Sequence, residues 1–306
     1  MKYDVIVMGP TFCDIIFFGL ENLPELGKEV WSKGFEITTG GMMNSAVAFS
    51  RLGMNVGLAT QVGRDLWGDL ILSTVKLENI SQEFIKVLEG AYPNISVAFN
   101  YKDDRGFISY TDKRFEKSFI QHIVYVAKHA DTKHFHFSTS PEHFDAIKAA
   151  KIQGKTISID TGWDPDWLQS SEIKKQIQLA DVFFSNLDEA KRITGEENPF
   201  NALEVLSEYA PTVIIKLGRD GAICKSNGEI FVSRGLKVDV VDATGAGDCF
   251  AAGFLYGWLE KKTIDECLKI GNYCGARSVT VVGGYSGAPT KQMLEQYMKN
   301  EETFLK

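Results

Sequence analysis

The run Asp242-Ala-Thr-Gly-Ala-Gly-Asp248 carries the residue types that phosphoryl transfer to a hydroxyl would use. Gly245 and Gly247 let the chain turn tightly and expose backbone N–H groups where a helix opens. Amides at a helix N-terminus, backed by the macrodipole, favour negative charge. A carboxylate beside them, Asp248, can accept the proton of an attacking hydroxyl while the amides stabilise the group in transfer. The plainer alternative is a glycine-rich turn whose Asp248 only caps the helix. A dinucleotide fingerprint fits less well, because no third glycine stands at the required offset and the run lies far from the N-terminus. Gly154-Lys155-Thr156 imitates the end of a P-loop, but Ala149 stands where the first glycine is required and the local order is helix then strand. Any ATP must be held by another device.

These residues need elements to position them. An apolar stretch, 238–241, precedes the turn and reads as a strand, within a segment 228–241 that reads as strand pairs. From about residue 120, short and nearly continuous apolar strands (133–137, 156–160, 182–185, 212–217) alternate with helices (141–153, 166–178, 188–194, 199–209). That rhythm is expected of a parallel sheet covered on both faces. Helices starting near Ala246 and Ile264 close the chain. The first strand is Tyr3–Met8, followed later by a helix over 44–53 with Gly53 at its end, a buried strand over 56–62 and a helix over 69–78. Two segments lack this alternation with helices. Residues 14–39 are broken by glycines and a proline, and 95–111 alternates as a hairpin around Lys102-Asp-Asp-Arg-Gly106. Both are grouped into a small β subdomain.

The net charge is −7 and no stretch is strongly basic, which argues against nucleic acid as a partner. No apolar run approaches the roughly 20 residues needed to span a bilayer. Asp4 interrupts the short apolar start, which does not read as a signal peptide. The five cysteines show no C-x-x-C spacing and are expected to be mostly unpaired thiols in a reducing, cytoplasmic setting. His134 and His136 share one face of a strand, but no third metal ligand is apparent, so a structural reading is favoured. Phe99, Tyr101 and Phe107 on the hairpin either pack the subdomain or cover a ligand.

The chain resembles the ribokinase family, also called the PfkB family of carbohydrate kinases. Asp242 to Phe250 matches that family's C-terminal signature. Gly40-Gly41-Met-Met-Asn44-Ser-Ala46, with Gly53 and Gly63 further on, matches much of its N-terminal signature. Gly63-Arg-Asp65-Leu-Trp-Gly68, Asn186-Leu-Asp-Glu189 and Lys216-Leu-Gly218-Arg-Asp-Gly221 resemble three shorter motifs, in the family's order. Met42 departs from the pattern, since a small residue usually stands two places before the Asn.

The resemblance implies a three-layer α/β/α domain with a mostly parallel sheet, and a β lid drawn from about 14–39 and 95–111 of one 306-residue unit. It implies that Asp248 is the base, and that Gly245, Ala246 and Gly247 form the anion hole. Asp14, Gly41 and Asn44 would bind substrate hydroxyls; by type alone Asp14 also suits a turn and Asn44 a helix N-cap. Asn186 and Glu189 would organise Mg²⁺ through water, which that ion retains. Gly218 and Gly221 would let the backbone pass close to ATP. Lys216 would meet phosphate or simply be solvated, and Asn272 falls on the adenine side. Asp242 and Thr244 match positions that hold a monovalent cation such as K⁺ in some members, with carbonyls near Val282 and Gly284. The expected substrate is a sugar, or alternatively a nucleoside whose base would need a slot from residues such as Trp31, Phe35 and Trp163; a non-catalytic binding protein is a third reading. The implied lid exposes sheet edges that pairing in a homodimer would cover.

Overall fold

The computed structural model describes residues 1–101 and 104–304. β1 (Tyr3–Met8) runs through Gly9 into β2 (Thr11–Phe18), which leaves the first sheet and pairs with β3 (Gly34–Gly41). α1 (Met42–Arg51) follows without a break, then β4 (Val56–Val62), α2 (Leu66–Leu77), the short β5 (Ile85–Val87) and the hairpin β6 (Asn94–Tyr101) and β7 (Asp104–Thr111). The second half alternates: α3 (Glu116–His129), β8 (Thr132–Ser138), α4 (Phe144–Ile152), β9 (Thr156–Asp160), α5 (Pro165–Gln169), α6 (Ser171–Ile177), β10 (Val182–Asn186), α7 (Leu187–Thr194), α8 (Pro199–Ser207) and β11 (Thr212–Lys216). An antiparallel pair, β12 (Ala222–Ser226) and β13 (Glu229–Ser233), leads to α9 (Ala246–Leu259), α10 (Ile264–Ser278) and α11 (Lys291–Phe304).

The large sheet has the order β13-β12-β11-β10-β9-β8-β1-β4-β5 and is parallel from β11 to β5. Its central strands are apolar on both faces because both are covered. Ile6, Phe135, Ile157, Phe183 and Val213 face α3 to α8. Val5, Leu58, Val182, Phe184 and Ile214 face α1, α2, α9 and α10. This is the three-layer α/β/α arrangement. α9 is buried along much of its length, and Gly253 lets it close on α10: a Cβ there would lie 2.7 Å from Cys274 Sγ. The five cysteines are buried and unpaired.

The expected strand over 238–241 does not form. Val240 and Val241 are exposed, and Val241 N–H bonds to the Val279 carbonyl (2.8 Å) rather than to a strand, because β13 already ends the sheet. The 228–241 segment yields β13 alone, paired with a β12 that the sequence pattern did not separate from its neighbours.

The smaller sheet has the order β3-β2-β6-β7, and its two faces differ in chemistry. Asp14 pairs with Ser96, and Ser96 with Ser109, so these three form one polar row. The opposite face carries Ile15, Phe17, Phe35, Ile37, Ile108 and Tyr110, an apolar surface with Phe35 59%, Ile108 68% and Tyr110 58% exposed. Lys102, Asp103 and the Arg105 side chain lie outside the described residues.

Candidate active site

The polar face of the small sheet meets the α9 turn across a cleft of about 260 Å³. Phe12, Asp14, Ser96, Phe107 and Ser109 come from the small sheet, Gly41 and Asn44 from the β3–α1 junction, and Thr244, Gly245 and Asp248 from the turn. The cleft opens at the carboxyl ends of the parallel strands, the expected position for a ligand in an open α/β sheet. Gly41 is required at that junction: its φ is +62°, and a Cβ would lie 2.7 Å from the Pro10 carbonyl oxygen.

Asn44 joins the two sides. Its Nδ2 donates to Asp248 Oδ2 at 2.8 Å. A carboxylate only accepts, so the amide nitrogen must face it and Oδ1 must face elsewhere. That Oδ1 is buried without a hydrogen-bond partner. Asn44 lies within α1 and is not its N-cap; Gly41 holds that place. Asp14 is only 6% exposed. Burial, then the carboxylates of Asp248 and Asp242, push its pKa up to about 7.

Gly245 is the N-cap of α9, with φ +70°. A Cβ there would run into the Gly284 carbonyl oxygen, so both the turn and this close approach exclude other residues. The amides of Ala246 and Gly247 follow in the first turn, where a helix offers its N–H groups no carbonyl of its own; that of Ala246 makes only a long bond, 3.4 Å, to the Ala243 carbonyl before the helix. Buried Asp242 braces the turn from behind: Oδ1 accepts from Thr244 N (3.0 Å) and Thr244 Oγ1 (2.7 Å), and Oδ2 from Gly283 N (3.0 Å).

The other side of the turn is charged and buried. Asn186 and Glu189 form a capping box on α7: Asn186 Oδ1 accepts from Glu189 N (2.9 Å), and Glu189 Oε2 from Asn186 N (2.7 Å). Thr161 Oγ1 donates to the same Glu189 oxygen. Burial, opposed by Lys216, raises the pKa of Glu189. Lys216 is not solvated. Its Nζ donates to both oxygens of Asp160, at 2.7 and 2.8 Å, and a Cβ on Gly247 would lie 3.0 Å from it. Burial opposes the charge on Lys216, but the carboxylates of Asp160 and Glu189 outweigh it and raise its pKa. Burial alone would favour a neutral Asp160. Donation to both of its oxygens, though, calls for an ammonium facing a carboxylate, and the pair is ionic.

The remaining candidates lie apart from the cleft. Gly218 borders open space on the β11–β12 turn, whereas Gly221 packs against the Ser233 carbonyl. Asn272 on α10 donates to Ser233 Oγ (2.9 Å) and to the carbonyls of Ser233 and Arg234. Trp31 and Trp163 are largely exposed, Phe35 lies on the outer face, and none lines the cleft. His134 and His136 hydrogen-bond Ser158 and Thr156 inside the sheet, and burial lowers both pKa values to about 3. Among the described residues no group of His, Cys, Asp and Glu forms a protein-only metal cage, and no helix is long and apolar enough to cross a membrane.

A family model described as pfkB family carbohydrate kinase matches residues 4–291. The chain belongs to that family. It is 28% identical to 2-dehydro-3-deoxygluconokinase of Bacillus subtilis (strain 168), over 99% of this chain and 98% of the relative. A putative ribokinase from Agrobacterium tumefaciens shares the fold with a TM-score of 0.84, at 21% identity and 99% coverage of both chains. A putative ribokinase II from E. coli, in complex with ATP and Mg²⁺, gives 0.82 at 23% identity, covering 97% of this chain and 99% of that one. The fold is thus ribokinase-like, and this pfkB-family kinase is a phosphotransferase acting on a sugar.

Sequence reasoning passed over four residues that the kinase places at or beside the cleft: Phe12, Ser96, Ser109 and Asp160. The alternation of the hairpin was the available signal for the serines, since it puts Ser96, Phe107 and Ser109 on one face. Phe99 falls on the opposite face, over Gly106. Asp160 gave no local signal; only the fold brings it to Lys216.

Proposed function

We propose that this protein transfers the γ-phosphoryl group of ATP to a hydroxymethyl group of a carbohydrate, with Asp248 as the base. The observation that carries the reading is Asp248 at the first turn of α9, oriented by Asn44 and facing a cleft lined with hydroxyl-binding groups. Asp248 takes the proton as the acceptor oxygen attacks phosphorus, and the bridging oxygen leaves with ADP. The amides of Gly245, Ala246 and Gly247 stabilise the charge that builds on the group in transfer. Asp14 and the unpartnered Asn44 Oδ1 accept hydrogen bonds from sugar hydroxyls, and Gly41 lets the sugar lie against the backbone. Phe12 and Phe107 offer apolar surface to the ring.

ATP fits the opposite side of the turn, along Lys216 and the open Gly218, with Gly221 and Asn272 shaping the loops behind. Bound Mg²⁺ would neutralise phosphate charge. Glu189 and Asn186 would hold it through water, since their own cap contacts leave a donor set too small for a protein-only cage. Asp242 and Thr244 flank the proposed monovalent-cation site, with K⁺ the candidate. The small sheet acts as the lid, excluding water that would otherwise compete for the phosphoryl group. Its apolar outer face supports a homodimer through the lid.

The test is ADP release across a panel of sugars and nucleosides. Wild type should turn over at least one sugar, and Asp248→Asn should lose on the order of 10²–10⁴-fold in kcat. Full activity in Asp248→Asn would overturn the base assignment. A wild type that neither binds ATP nor releases ADP would overturn the reading itself.

A further inference from the structure

The buried cluster of Asp160, Thr161, Glu189 and Lys216 asks for a purpose beyond nucleotide docking. β10 separates β9 from β11, so the Lys216 side chain crosses a whole strand, over Phe184, to reach Asp160. Both side chains are nearly buried, 12% and 7% exposed. The second anchor is Thr161, whose N–H donates to Asp160 Oδ1 (2.9 Å) and whose hydroxyl donates to Glu189. The cap of α7 and the ammonium are thereby locked to one strand end. The ammonium has three donors, and the oxygens of Asp160 take two. It sits against Gly247, where any side chain would crowd it. That is the junction between the nucleotide side and Asp248.

We infer that Lys216 donates its remaining hydrogen bond to the phosphoryl group as it passes the glycine turn, and that Asp160 is the positioning residue that holds the ammonium there. The inference rests on the kinase reading. The acceptor O–P bond forms, the bond from phosphorus to the bridging oxygen of ADP breaks, and the hydroxyl proton goes to Asp248. Lys216 keeps its proton throughout and acts by charge, which is worth most in a dry, preorganised site. Without Asp160 the flexible four-carbon stem would not hold the ammonium at one point.

Kinetics and ATP binding on the full chain test this, using a sugar that wild type phosphorylates. Lys216→Met should lower kcat roughly 100-fold, in the range of lost transition-state donors. ATP affinity measured by calorimetry without sugar should weaken less than kcat falls. Asp160→Asn should lower kcat in the same direction with KM for the sugar unchanged. The double variant Asp160→Asn, Lys216→Met should be no slower than Lys216→Met alone, and Asp160→Glu should recover part of the loss. Losses that multiply in the double variant would overturn the positioning role. If Asp160→Asn leaves its ammonium buried and unpaired and does not fold, the double variant and Lys216→Met still decide: kcat within twofold of wild type in Lys216→Met sinks the inference while the kinase reading stands. Absence of turnover by wild type would strike both.

Discussion

On the side of the glycine turn proposed to take the acceptor, Asp14 is buried among other carboxylates and Asn44 Oδ1 has no partner. On the side proposed for the nucleotide, Glu189 is capped, Lys216 is paired and Asn272 is bonded to the end of β13 and the Arg234 carbonyl after it. The first side carries unmet demand, and a ligand with hydroxyl donors would relieve it. The second satisfies itself, and a ligand there must share or exchange existing contacts. Stability and activity should therefore respond in opposite directions to substitutions on the acceptor side, and together on the nucleotide side.

The largest effect that would break this contrast belongs to Asp14→Asn. Loss of a charged acceptor from the cleft should lower kcat/KM for the sugar by about 100-fold. Stability should move the other way. The folded pKa of Asp14 is raised from the ordinary carboxylate value to about 7, so the folded state binds more protons between about pH 4 and pH 7. The stability tied to its protonated form is present below pH 4 and lost as pH rises through 7, up to about 4 kcal/mol at about 1.4 kcal/mol per unit. Asp14→Asn should accordingly melt higher than wild type at pH 8 and equally at pH 4. The kcat/KM profile of wild type should show an acid limb near pH 7 that Asp14→Asn shifts. The Asp248 carboxylate is one of the charges that raise the pKa of Asp14, so Asp248→Asn should lower the Asp14 midpoint. Equal melting at pH 8 would show that Asp14 is not under strain.

A smaller effect sharpens the other half. Glu189→Ala removes one arm of the capping box and the partner of the Thr161 hydroxyl. It should cost about 1 kcal/mol of stability and raise KM for ATP, with KM for the sugar unmoved. A variant more stable than wild type would place Glu189 with Asp14, in the group held for function at the expense of the fold, and the contrast would fail.

The sequence made the chemistry of the turn legible because it is local: two glycines, a carboxylate and a helix start lie within seven residues. The central strands were legible because burial on both faces leaves continuous apolar runs, and β1, β4 and β9 fall on the predicted residues. α3 carried a readable signal that was passed over, since Phe119, Ile123, Val126 and Ala127 repeat at helical spacing. The false strand at Val238–Val241 shows the limit of composition: β-branched residues supply propensity, but a strand needs a partner edge, and topology decides that. Asp160 was invisible for the same reason. A lone Asp ending a strand means nothing until β11 brings a lysine across from it. The packing of Met42 was equally hidden; it is 6% exposed, and a Cβ on Gly9 would lie 2.7 Å from its Cγ. Its departure from the family pattern thus lands beneath the cleft, against the β1 turn.

The two faces of the small sheet give the last and smallest effect on catalysis. The cleft face is a row of Asp14, Ser96 and Ser109, whereas the outer face exposes Phe35, Ile37, Ile108 and Tyr110. A sheet wetted on its apolar side favours association, and in the proposed homodimer a second copy would supply the matching surface by two-fold symmetry. Light scattering after size exclusion should give twice the chain mass at micromolar concentrations. Ile37→Lys combined with Tyr110→Lys should halve it by placing like charges on both copies. These side chains point away from the cleft, so kcat should stay within about twofold unless the dimer also steadies the lid. A rise in KM for the sugar at unchanged kcat would locate that steadying in the open form. A monomeric wild type would leave the outer face without its proposed partner and overturn the dimer.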